Sequence, residues 1–168
     1  MQDEYKIDSH KLIYHPDRVN QWLKDPLNTY PIYLEISPAG CCNHRCKFCG
    51  VDYVGYKNVF LDTELLIERI KEMAKLGVRS IMYGGEGEPL LHKDIAEIVI
   101  QTKKAGIDVS FTTNGVFLNE EFLKKALGSI EWIKASIDAG TNMTHHRIHR
   151  GAPKDFDSHY PKSKAWIM

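Results

Sequence analysis

The chain has 168 residues, 43% of them hydrophobic and 26% charged, with 22 Lys+Arg against 22 Asp+Glu. That balance excludes a disordered chain, and a formal charge of +0 excludes recruitment of nucleic acid or an anionic membrane by net charge. No apolar run approaches the roughly 18 residues of a spanning helix, and the polar start, with Asp3, Glu4 and Asp8, is not a secretory signal, so a cytoplasmic protein is expected.

The first thirty residues read as a lead-in with one short helix, capped by Asp17, running through Val19, Trp22 and Leu23 and stopped by Pro26. Residues 31–37 are rich in β-branched and aromatic side chains behind Pro31, which predicts a first strand. A long loop from Pro38 to about Phe60 follows. Asp62 caps a helix with Leu66, Ile70 and Met73 on one face and Gly77 as its stop.

Val78 to Tyr83 is the second strand. Asp94 to Ala105 is a helix that turns Ile95, Ile98, Val99 and Thr102 inward. Ile107 to Thr113 is the third strand. Asn119 caps a helix with Phe122, Leu123, Ala126 and Leu127 inward, and Glu131 to Asp138 is the fourth strand. A last helix spans Met143 to Ile148. Strands alternating with helices predict an α/β fold with a parallel sheet of about four strands and right-handed crossovers. Ligands bind at the carboxyl ends of such strands. The expected divisions are a lead-in at 1–30, a core at 31–150 and an irregular tail at 151–168.

All four cysteines, Cys41, Cys42, Cys46 and Cys49, fall within nine residues of the long loop. Neighbours this close form no disulfide framework, so metal binding or catalysis is the expectation. Cys42, Cys46 and Cys49 stand as C-x3-C-x2-C. Three thiolates can hold three irons of a cubane cluster and leave the fourth iron open. A structural zinc site, with Cys41 or His44 as fourth ligand, is the alternative. His145, His146 and His149 are also spaced like metal ligands, but a solvated helix face is the expected reading.

The stretch Cys42-Asn-His-Arg-Cys46-Lys-Phe-Cys49 resembles the signature of the radical S-adenosylmethionine (radical SAM) superfamily, including the aromatic Phe48 before the third cysteine. The similarity runs from about Lys11 to Asp157. It implies a partial (β/α) radical SAM barrel with helices on the outer face. It also implies a 4Fe–4S cluster on Cys42, Cys46 and Cys49, with S-adenosylmethionine as second cofactor.

Gly85-Glu86-Gly87-Glu88-Pro89 resembles the family's Gly-Gly-Glu-Pro segment, which meets the cofactor's amino group, with Glu86 in the first glycine position. Asn114 after the third strand, Ser136 and Asp138 at the fourth, and Arg150 beyond it resemble further cofactor contacts. Ser136 and Asp138, two apart on a strand, would share a face.

The activity so implied is reductive cleavage of S-adenosylmethionine to a 5′-deoxyadenosyl radical that abstracts hydrogen from a substrate. A flavodoxin- or ferredoxin-type donor would supply the electron. Nothing in the residues names the substrate. The alternatives are a non-catalytic iron–sulfur or zinc module and an inactive truncated fragment. The sequence leads one to expect an incomplete barrel, a poor catalyst by itself, whose exposed fourth strand promotes self-association.

Overall fold

The computed structural model describes residues 11–157. The segments 1–10 and 158–168, on which the leader reading and most of the tail reading fall, lie outside the described residues.

Four parallel strands form one sheet in the order β1-β2-β3-β4: β1 Tyr33–Ile36, β2 Ser80–Tyr83, β3 Asp108–Thr113 and β4 Trp132–Ala135. Sequential strands pair with each other: Ile36 faces Tyr83, Tyr83 faces Phe111, and Phe111 faces Ile133. The expected parallel α/β architecture is therefore present. The crossovers are α3 Thr63–Lys75, α4 Ile95–Lys104 and α5 Glu120–Ala126, following the shorter helices α1 Pro16–Lys24 and α2 Gly50–Val54. A last helix, α6 Asn142–His149, lies beyond β4.

Local chemistry sets the helix starts. Asp62 accepts the N–H of Leu65 at 2.9 Å, and Asn119 accepts that of Phe122 at 2.9 Å, each satisfying a donor the first turn leaves open. The core lies between sheet and helices. Ile81, Tyr83, Val109 and Phe111 of the strands pack with Ile70 of α3 and Ile98 and Val99 of α4, all fully buried. Thr102 faces inward because its hydroxyl has work there: it lies 2.6 Å from the Tyr83 hydroxyl and donates to the Ile98 carbonyl. A buried phenol without that partner would lose a hydrogen bond to water and gain none.

Four details differ from the sequence reading. Asp17 lies in the first turn of α1, whose cap position is His15. The cysteine loop contains α2, a five-residue helix too short to carry a periodic signal. Leu127 is exposed, because α5 ends at Ala126 and a tight 3-10 turn turns Leu127 outward. β4 stops at Ala135 rather than Asp138: β3 supplies partners only as far as Thr113, whose carbonyl accepts the N–H of Ser136. None of the described helices is long and apolar enough to cross a membrane.

Candidate functional site

The loop after β1 is closed at its base by a short antiparallel pairing. Ala39 bridges Phe60, Gly40 donates to the Val59 carbonyl at 2.8 Å, and Leu61 donates to Pro38 at 3.0 Å. Inside the loop, Arg45 acts as a hub. Its guanidinium donates to the carbonyls of Cys42 at 2.6 Å and His44 at 2.7 Å and lies 4.6 Å from the centre of the Tyr56 ring. That is cation–π range.

Two backbone hydrogen bonds clamp the loop to the end of α6: Arg45 N–H to the His149 carbonyl at 2.9 Å, and Lys47 N–H to Ile148 at 3.0 Å. All four cysteines are free thiols. Cys42, Cys46 and Cys49 lie near enough to sense one another's charge. Burial first, then the Cys42 and Cys49 sulfurs, push the Cys46 thiol up to about 11. Burial also raises Cys42. Cys49 ends below the ordinary thiol range: burial pushes it up, but the Tyr56 hydroxyl, 3.1 Å from its sulfur, and the N–H groups of Asp52 and Val51 outweigh that. A Cys46 thiol whose ionisation is opposed by the two sulfurs beside it fits a polycationic ligand that binds all three as thiolates. The donor set therefore suits an iron–sulfur cluster.

The Gly-Glu-Gly-Glu segment after β2 docks onto this loop. Glu88 N–H donates to the Cys41 carbonyl at 2.8 Å. A Cβ at Gly87 would collide with the carbonyl oxygens of Ala39 and Cys41, so only glycine allows that approach. Gly85 has φ +94°, the left-handed region, and reverses the chain out of the strand.

The two glutamates diverge. Glu86 is exposed and lines a cleft of about 480 Å³ with Ser37, Gly40, Gly50 and Lys57. Glu88 is buried, and its carboxylate is engaged by protein donors: Leu90 N–H at 3.0 Å, the Thr113 hydroxyl at 2.6 Å and Asn114 N–H at 2.8 Å. Burial raises its carboxyl, and these three hydrogen bonds oppose the rise.

Asn114, also buried, reaches the loop. Its amide donates to Asn43 Oδ1 at 2.7 Å and lies 3.8 Å from Cys42 Sγ. On the far side, Phe48 is exposed and meets the His149 ring edge-on at 5.7 Å.

Ser136 and Asp138 lie past the end of β4, so the shared-face argument does not hold for them. Asp138 has φ 48°, is exposed, and is 3.5 Å from His149 Nε2. Arg150 is exposed at the left-handed cap of α6, φ 50°.

The histidines overturn one expectation. His145 and His149 are buried, at 0% and 1% exposure; only His146 of the three is exposed. The face the sequence reading assigned to solvent is packed against the cysteine loop. His149 Nδ1 is 3.2 Å from Cys46 Sγ, and its Nε2 is 3.0 Å from the Ile137 carbonyl.

His44 is fully buried, and its Nε2 is 2.8 Å from Asp155 Oδ2. Burial pulls its imidazole down, against the pull of Asp155. The segment set apart as an irregular tail thus opens with ordered packing. Residues 155–157 are helical, and Asp155 and Phe156 are buried. Arg45, Tyr56, His149 and Asp155 were absent from the sequence-derived site. Two signals touch them: Arg45 lies inside the cysteine motif, and His149 shares a ligand-like spacing with His145 and His146 that is read as a solvated face.

The Radical SAM superfamily model matches residues 36–157. The chain is 43% identical over 112 residues to a GTP 3′,8-cyclase of Aquifex aeolicus, covering 62% of this chain and 35% of that protein. It is 33% identical over 103 residues to an S-adenosylmethionine-dependent nucleotide dehydratase of Lacinutrix mariniflava, covering 58% of this chain and 21% of that protein. The chain thus spans about a fifth to about a third of these relatives.

In fold it resembles Streptococcus suis SuiB in the crystal structure bound to S-adenosylmethionine, with a TM-score of 0.63 at 21% identity, over 86% of this chain and 34% of that one. The family match covers most of the chain and includes the cysteine loop and all four strand ends. The chain belongs to the radical SAM superfamily, whose cofactors are a 4Fe–4S cluster and S-adenosylmethionine.

Proposed function

We propose that this chain is the part of a radical SAM enzyme that carries the cluster, with Cys42, Cys46 and Cys49 as its ligands and Cys41 outside the set. One observation carries the reading: three free thiols at cluster spacing on one clamped loop, at the carboxyl end of a parallel sheet, with the Gly85–Glu88 segment docked onto that loop. When bound, the cluster and S-adenosylmethionine supply the one-electron chemistry that yields a 5′-deoxyadenosyl radical. A flavodoxin- or ferredoxin-type protein would supply the electron.

The chain's own residues bind and orient. The Tyr56 hydroxyl is hydrogen-bonded to the Cys49 sulfur at 3.1 Å. Gly87 brings the strand-2 segment against the loop. Glu88 holds the backbone of Asn114, whose amide faces Cys42 and Asn43. Glu86, exposed on the cleft, offers its carboxylate to the cofactor's ammonium, since Glu88 already serves three protein donors. Phe48, Ser136, Asp138 and Arg150 would complete the binding surface from the cysteine loop and the β4–α6 side. Both curated relatives are named for nucleotide chemistry, so nucleotides are the first substrates to assay.

The test is anaerobic reconstitution with iron and sulfide. About four irons per chain are expected. S-adenosylmethionine should then change the electron paramagnetic resonance signal of the dithionite-reduced cluster, and 5′-deoxyadenosine should accumulate. Iron without any response to S-adenosylmethionine would favour the non-catalytic iron–sulfur module. Zinc retained with no iron uptake would favour the zinc reading.

A further inference from the structure

We propose that Cys46, His44 and His149 form a site for a divalent cation of the Zn2+ class, which shares one sulfur with the three-cysteine site and therefore competes with it. Each of the three residues offers a ligand atom, and these atoms lie within 4.8 Å of one another. Tetrahedral zinc, with bonds of about 2.0–2.3 Å, holds its ligand atoms about 3.5 Å apart. Closing the triad from that separation therefore takes shifts of about 1 Å per side chain.

The surroundings of both imidazoles match those of metal ligands. A ligating histidine almost always donates its second ring N–H to a carboxylate or a backbone carbonyl. His44 directs Nε2 at Asp155 Oδ2, at 2.8 Å, and Asp155 is itself fixed by the N–H of Ala152 at 2.8 Å. His149 directs Nε2 at the Ile137 carbonyl, at 3.0 Å. In both rings Nδ1 is then the nitrogen left to ligate.

In His149 that atom points at the Cys46 sulfur, 3.2 Å away. In His44 it is buried and has no hydrogen-bond partner. An orphaned ring nitrogen in a fully buried histidine costs stability, and a bound cation removes that cost. One thiolate and two neutral imidazoles are borderline-soft donors, the set that suits zinc rather than magnesium or calcium. Three protein ligands leave a fourth position for water. Because both sites need the Cys46 sulfur, zinc bound here would compete with cluster assembly.

The experiment uses the whole chain carrying Cys42→Ala and Cys49→Ala, which keeps this triad and discards two of the three proposed cluster ligands. Cobalt(II) serves as the spectroscopic stand-in for zinc. One equivalent should give the visible bands of tetrahedral cobalt and a sulfur-to-cobalt charge-transfer band, both displaced by zinc. Adding His44→Gln or His149→Gln should abolish both bands, and Asp155→Asn should weaken binding about 10- to 100-fold. Cobalt binding that survives both histidine substitutions would overturn the proposal, as would no binding at all.

Circular dichroism of the metal-free variants checks their fold. A measurement on the unsubstituted chain stands beside it: zinc should protect Cys46 from alkylation while Cys49 continues to react. Equal protection of all three cysteines, or of none, would also overturn the proposal. Neither readout depends on whether the chain assembles an iron–sulfur cluster.

Discussion

The Thr113 hydroxyl donates to the buried Glu88 carboxylate at 2.6 Å and so joins the end of β3 to the segment that follows β2. The same carboxylate takes the N–H groups of Leu90 and Asn114. Glu88→Ala would strand two backbone donors and one hydroxyl in a buried setting. An unsatisfied buried donor costs about 1–3 kcal/mol, so the substitution should lower stability by several kcal/mol, read as a drop in the denaturation midpoint.

Glu88 also predicts a pH effect. Burial raises its folded-state carboxyl, with the three donors opposing. A raised acid costs nothing below its unfolded value and its full penalty above its folded value. The stability of the native chain relative to Glu88→Gln should therefore fall as pH rises through that window and level off above it. Denaturation of both proteins across the acid range measures it; a difference independent of pH would show that the carboxyl is not raised.

Gly87→Ala tests the docking of strand and loop. The added methyl meets the Ala39 and Cys41 carbonyls, which belong to backbone and cannot swing aside. Overpacking of this kind costs about 1–3 kcal/mol. The variant should fold, with its iron content after reconstitution reduced because the cysteine loop is displaced. Full iron loading at unchanged stability would mean that the contact is dispensable.

Substituting alanine for Cys42, Cys46 or Cys49 should in each case abolish cluster assembly, whereas Cys41→Ala should leave it largely intact. Cys41 contributes its carbonyl to Glu88 N–H, a contact that alanine preserves. Iron and sulfide content after anaerobic reconstitution decides. Equal loss from Cys41→Ala would restore a four-cysteine site.

Thiolate chemistry gives a fifth prediction. Cys49 is held below the ordinary thiol range, while Cys42 and Cys46 are held above it. Alkylation proceeds through the thiolate. In the metal-free chain near neutral pH, iodoacetamide should modify Cys49 ahead of Cys42 and Cys46. Tyr56→Phe removes the hydroxyl hydrogen-bonded to its sulfur and should slow that reaction. Peptide mass mapping over time reads both effects.

The parts legible in the sequence are the local ones. Asp62 and Asn119 announce their helices because a cap acts within three residues. Ile95, Ile98, Val99 and Thr102 announce a buried face because helical spacing is regular, and all four are buried. The cysteine triplet is legible for the same reason.

What the sequence hid joins distant residues. Asp155 meets His44 across 111 positions, and His149 meets Cys46 across 103. No spacing rule reaches that far, so His149 read as solvated when it is buried against the loop. The shared face expected of Ser136 and Asp138 fails for a different reason. A strand lasts only as long as its neighbour, and β3 ends at Thr113.

The clamp between the cysteine loop and α6 has a consequence for the order of events during synthesis. Arg45 and Lys47 donate to carbonyls of His149 and Ile148, about a hundred residues downstream. While the ribosome is still making β2 to β4, those donors face water and the loop lacks its backstop. The cysteines emerge early but acquire their final arrangement late. Metal that arrives first would meet a flexible stretch of thiols, whereas metal that arrives after α6 has docked would meet a shaped receptacle. A chain given metal after folding should therefore load more completely than one given metal while unfolded.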